Sequence, residues 1–70
     1  MNELIRTETI AKNLKRLRKR RHLSQEAVGE MLGYSVRQIR RLETEGTLSI
    51  DVVNRFASAF GVPAVDILFR

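Results

Sequence analysis

Seventy residues make one small domain, with 13 Lys or Arg against 8 Asp or Glu, a formal net charge of +5 and 43% apolar residues. That apolar share excludes wholesale disorder, and the lack of cysteine excludes disulfides and thiolate metal sites. One histidine (His22), two aspartates and no glycine-rich loop leave no catalytic or metal-ligand constellation, and no run approaches the ~18 apolar residues that span a membrane.

Five helical segments are predicted, with no strand alternation, repeat or low-complexity linker. Residues 1–7 read as an N-terminal arm and residues 8–70 as the folded domain. The first helix starts near Thr7 to Thr9, with Thr7 as its cap and Glu8 in its first turn. Ile10, Leu14 and Leu17 form its apolar stripe, which stops at His22-Leu23. Ser24 caps the second helix, whose apolar positions are Ala27, Val28, Met31 and Leu32. Gly33 ends it. Gly29, in mid-helix, implies the close approach of a neighbouring helix. Ser35 caps a third helix over about 35–43, with Ile39 and Leu42 facing inward. Gly46 breaks the chain, and Ser49 caps a fourth helix striped by Ile50, Val53, Phe56, Ala57 and Phe60. Gly61 ends that helix, and Pro63 marks the start of a short fifth one, from which the core is expected to take Val65 and Leu68.

The charge is uneven. No acidic residue lies between Glu8 and Glu26, a gap that holds Lys12, Lys15, Arg16, Arg18, Lys19, Arg20 and Arg21. Arg37, Arg40, Arg41 and Thr44 recur at i, i+3, i+4 and i+7, so they share one face of the third helix. Concentrated positive charge suits a polyanion, because each neutralised phosphate releases counterions. The plainer readings are a solvated helix face or, for residues 15–21, a nuclear-localisation run. Two short helices joined by Gly33-Tyr34-Ser35 have the sequence shape of a helix-turn-helix. In that motif the second helix enters the DNA major groove. The plainer alternative is an ordinary helical hairpin with solubilising arginines.

Ile10 to Phe69 resembles the XRE family of helix-turn-helix regulators, with the lambda-repressor and Cro-like fold. Leu17-Arg18, Leu23-Ser24-Gln25-Glu26-Ala27-Val28, Gly33-Tyr34-Ser35, Ile39, Leu42-Glu43, Phe60-Gly61-Val62 and Asp66-Ile67-Leu68-Phe69 carry the resemblance in register. It implies an all-α, five-helix domain that binds double-stranded DNA. Gln25 matches the glutamine that anchors the DNA backbone. Ser35, Val36, Arg37 and Arg41 match the head and outer face of the recognition helix, where arginine reads guanine and Val36 meets a thymine methyl. Gln38, Arg40 and Thr44 match phosphate contacts. Arg18 and Glu43 match a structural ion pair. His22 stands where the family has a helix-ending glycine, and a left-handed conformation is expected of it. Gly46 comes one residue late, and Glu45 puts a negative charge beside the DNA-facing loop.

The resulting expectation is a sequence-specific transcriptional regulator, a repressor rather than an activator, cytoplasmic and at the nucleoid when bound. No catalysis, metal, cofactor or membrane partner is expected. A homodimer is expected, with Val62, Leu68 and Phe69 at its interface; the alternative places Phe69 back on Phe56 or Phe60. Leu4 and Ile5 are weighed as further interface residues. The competing classes are an antitoxin-like protein that binds a partner through its C-terminal helix, and the DNA-binding module of a longer regulator.

Overall fold

A computed structural model describes residues 5–70. Leu4 and the start of the proposed arm lie outside the described residues. The elements are α1 (Thr7–Arg20), α2 (Gln25–Leu32), α3 (Val36–Glu45), α4 (Ile50–Phe60) and α5 (Val65–Leu68). The described residues form no strand, and no helix among them is long and apolar enough to cross a membrane.

Serine starts three of the five helices. The Oγ atoms of Ser24, Ser35 and Ser49 accept from the N–H groups of Ala27, Gln38 and Val52, which satisfies donors that the first turn leaves without partners. At α1 the expectation fails: the cap is Arg6, extended and without a side-chain bond, and Thr7 already belongs to the helix. Gly33 and Gly61 take the left-handed conformation that ends α2 and α4. His22 has φ 57°, the one non-glycine left-handed residue among those described.

Two glycines answer to close backbone approach. A Cβ on Gly29 would lie 2.5 Å from the Tyr34 carbonyl oxygen. The intruder is therefore the α2–α3 connection rather than a neighbouring helix, because Gly33 and Tyr34 both donate back to the Gly29 carbonyl at 2.8 Å. Gly46, with φ 75° and ψ −164°, ends α3 against the Thr7 backbone, which a Cβ would strike. That conformation is essentially reserved for glycine.

The core is built from Ile10 and Leu14 of α1, Val28 of α2, Ile39 of α3, Phe56 of α4 and Ile67 of α5, all fully buried. Phe56 stacks between Tyr34 and Phe60, with ring centroids 6.4 and 6.2 Å away. Several apolar expectations are corrected. Met31, Ile50 and Val65 are about half exposed, and the one fully buried residue of α5 is Ile67; Leu68, as expected, packs against the core, half-buried. The buried side chain of Asn13 donates from Nδ2 to the Ile67 carbonyl at 2.8 Å, which ties α5 to α1 beside the buried Ile67. Phe69 remains 48% exposed.

Two arginines close helix ends, at Phe60 of α4 and Leu32 of α2, and a third closes the α1–α2 connection. Arg18 donates to the Leu23 carbonyl at 2.9 Å, Arg21 to the Phe60 carbonyl at 2.7 Å and Arg55 to the Leu32 carbonyl at 3.1 Å. Arg21 and Arg55 also lie over the Phe60 and Tyr34 rings, at 5.2 and 5.5 Å. A cation at a helix C-terminus meets the negative end of the dipole, and the ring face adds further attraction.

Candidate nucleic-acid interface

The pair α2–α3 is held rigidly at its head. Ser35 Oγ accepts from the Gln38 N–H at 3.1 Å, and Gln38 Oε1 accepts from the Ser35 N–H at 2.7 Å. This reciprocal capping box fixes the first turn of α3. The Gln38 carbonyl oxygen is thereby committed to the helix. Ile39 anchors the inner face of α3 in the core, which turns Arg37, Arg40, Arg41 and Thr44 outward, all exposed. With Glu45 they line one shallow open depression. Ser35 is exposed beside them and Val36 is half-buried. α3 reaches Glu45, two residues beyond the expected end. The end is set by Gly46 and not by the last apolar residue, Leu42.

Arg37 and Arg40 form no ion pair among the described residues, whereas Arg41 Nε donates to Glu45 Oε1 at 3.2 Å. The Thr44 hydroxyl donates to the Arg40 carbonyl at 2.8 Å. The face is thus strongly cationic and unscreened except at Arg41.

Behind this face lies a buried network. Arg18 Nε and Nη2 donate to Glu43 Oε2 and Oε1 at 2.6 and 2.9 Å, with side-chain exposures of 12% and 3%. Gln25 Nε2, at the first position of α2, donates to the same Oε1 at 3.1 Å. One carboxylate therefore joins α1, α2 and α3. The Glu43 hydrogen bond raises the Arg18 pKa above the ordinary arginine value, against an opposing effect of burial. The guanidinium stays charged at any working pH. Burial makes such a pair costly to break, because the surviving charge is left in a poor solvent.

The basic window of α1 divides in two. Arg16, Arg18 and Arg21 donate to Asn13, Glu43 and the Phe60 carbonyl, so they serve the fold. Among the described residues, Lys12, Lys15, Lys19 and Arg20 are exposed without such a bond; Arg16 and Arg21 are exposed too, and of this window only Arg18 is paired with a carboxylate. Sequence reasoning overlooked Asn13 and Arg55, whose carbonyl partners are 54 and 23 residues away. It also overlooked the Arg41–Glu45 pair, for which the i, i+4 spacing was a readable signal. No group of residues among those described has the makings of a metal site.

A short helix pair with a fixed glycine turn and a cationic outer face on its second member defines a helix-turn-helix domain of the XRE type, a class of DNA-binding regulators. The chain belongs to the Helix-turn-helix family HTH_3, whose profile matches residues 14–67. It is similar to an HTH_3 family transcriptional regulator from Vibrio cholerae at 27% identity and TM-score 0.76, over 87% of this chain and 35% of that one. The chain thus spans about a third of that regulator's length. It shares its fold with a hypothetical transcription factor, NHTF, from Neisseria, at 19% identity and TM-score 0.81 over 99% of this chain and 86% of that one. The restriction-modification controller protein C.AhdI from Aeromonas hydrophila gives 19% and 0.77 over 87% and 94%. No curated protein matches the chain closely enough to serve as a relative.

Proposed function

We propose that this domain is a sequence-specific DNA-binding transcriptional repressor that occupies its operator as a homodimer. The observation that carries the reading is the exposed arginine face of α3, held by a capping box and a buried core anchor. α3 lies in the major groove. Arg37 and Arg41 read guanine edges, and Ser35 and Val36 face the bases beside them. Arg40, Thr44, Gln38 and Gln25 lie against phosphates, which position the protein without specifying sequence. Gln25 is already tethered to Glu43, so its place at the head of α2 is preset. The likeness to regulators that carry the same fold supports this reading.

The dimer reading is supported by α5, where Val65 and Phe69 expose 54% and 48% of their surface one helical turn apart. A second copy covers Phe69 together with the half-buried Val62 and Leu68. The antitoxin-like alternative draws on the same apolar surface.

Selection from a random duplex library at about 150 mM salt tests the proposal. An enriched inverted repeat, with half-sites about 10 bp apart, is the expected product. Binding that fades with salt and enriches nothing refutes sequence-specific regulation. A single half-site refutes the dimer alone.

A further inference from the structure

The cationic face of α3 carries one acidic group, and its place is specific. Glu45, the last residue of the helix, accepts from Arg41 Nε at 3.2 Å. The two side chains are 75% and 61% exposed. Water competes for both partners at such exposure, so the pair contributes little to holding the fold. A carboxylate also weakens the attraction of this face for a polyanion. Stability and bulk charge therefore both leave Glu45 without a role.

The geometry of the guanidinium supplies one. Arginine has an Nε–H and two terminal NH₂ groups in a fixed plane. Glu45 takes the Nε–H alone. The outer edge, with its two parallel donors, stays open, and that edge matches the O6 and N7 acceptors of guanine. Docked on Glu45, Arg41 has fewer rotamers to lose when it meets a base. A phosphate oxygen that approaches Arg41 brings a full negative charge toward a carboxylate in the same shallow depression. A guanine edge is neutral and meets no such repulsion. The nearby Arg37 and Arg40 have no carboxylate of their own, since Glu43 is turned inward onto Arg18.

We infer that Glu45 is a specificity-determining positioning residue: it holds Arg41 by Nε for bidentate reading of guanine and penalises the use of Arg41 as a phosphate contact. The inference rests on the reading that α3 enters the major groove. Glu45 thereby discriminates against wrong DNA as much as it favours the right site.

Fluorescence anisotropy with three kinds of duplex tests this: the selected operator, operators substituted at each guanine, and a random sequence. Glu45→Gln is expected to tighten binding to random DNA about threefold and to steepen its salt dependence by about one phosphate contact. The operator-to-random ratio is expected to fall about fivefold to tenfold, in the range that one misread base pair commands. The melting temperature stays within the small range of exposed substitutions. In an Arg41→Ala background the effect of Glu45→Gln on the ratio disappears. An unchanged or increased ratio overturns the inference. So does equal tightening on every duplex in both backgrounds, which marks Glu45 as bulk charge only. If Arg41→Ala alters base preference while Glu45→Gln does not, this inference alone fails. If Arg37→Ala and Arg41→Ala change binding to no duplex, the major-groove reading fails and takes the inference with it.

Discussion

At position 46 the absence of a side chain decides where α3 stops. The Thr7 backbone occupies the space that a Cβ would need, and φ 75° with ψ −164° excludes other residues independently. Gly46→Ala is therefore expected to lower stability by about 3 kcal/mol or more, as strain and overlap add. Gly33→Ala, left-handed but with open space around it, is expected to lose only about 1 kcal/mol. Equal losses in urea denaturation contradict the steric account. Glu43 is the second decisive residue, since one carboxylate serves Arg18 and Gln25. Glu43→Gln is expected to reduce stability by about 1–4 kcal/mol, read as a fall in melting temperature. The raised Arg18 pKa fixes the sign of its pH effect. A cation with a raised folded pKa stabilises fully below its unfolded value, and that contribution is lost only as pH rises beyond the arginine range. Melting temperatures between about pH 7 and 10 are expected to show no loss from this group.

Individual helices show what local sequence carries and what it omits. The three serine caps and the stripes around Leu14, Val28, Ile39 and Phe56 are written in nearest-neighbour chemistry, and their expected positions match the structure. The end of α3 was placed too early because Leu42 closes the apolar pattern while Gly46 closes the helix. In α5 the inward placing of Val65 fails because four residues give no period to follow. The tie of this helix to α1, the bond from Asn13 to the Ile67 carbonyl, spans 54 positions of chain and leaves no local signal. The clasps of Arg21 and Arg55 are hidden for the same reason. The pairing of Arg18 with Glu43, 25 residues apart, was reachable only through the family resemblance. At the candidate site the outward face of α3 follows from spacing, but the Nε-only contact of Arg41 needs coordinates. Ser35→Ala removes half of the capping box and is expected to lower stability by about 1 kcal/mol. Operator affinity is expected to fall further than stability alone requires, because Arg37 sits in the turn that loosens; a loss of stability with operator affinity unchanged contradicts this.

Across the molecule, the count of 13 Lys and Arg overstates the cations free to meet DNA. Arg18 of the α1 window is paired with Glu43 behind α3, and Arg16 and Arg21, though exposed, are tethered to Asn13 and to the Phe60 carbonyl. Arg37→Ala is expected to weaken operator binding by about 1–3 kcal/mol and to relax one base position, while Arg40→Ala weakens all sequences alike and lowers the salt slope by about one. Identical profiles for the two variants on operator and random DNA contradict these roles. Phe69→Asp is expected to shift the protein toward monomer in sedimentation while it stays folded, since the ring is half exposed; an unchanged sedimentation profile contradicts the proposed interface.

The single turn of α5 also acts as a gauge. The amides of Ile67, Leu68 and Phe69 bond only to the carbonyls of Ala64 and Val65, and one buried side chain with one asparagine secures them. Such a segment opens well before the rest of the domain, so these three hydrogens exchange with deuterated solvent early. In the proposed dimer a second copy seated on Phe69 is expected to slow them, and dilution to release them again. Exchange at these three backbone hydrogens, unchanged on dilution, contradicts the proposed self-association in a chain that carries no tryptophan to report it.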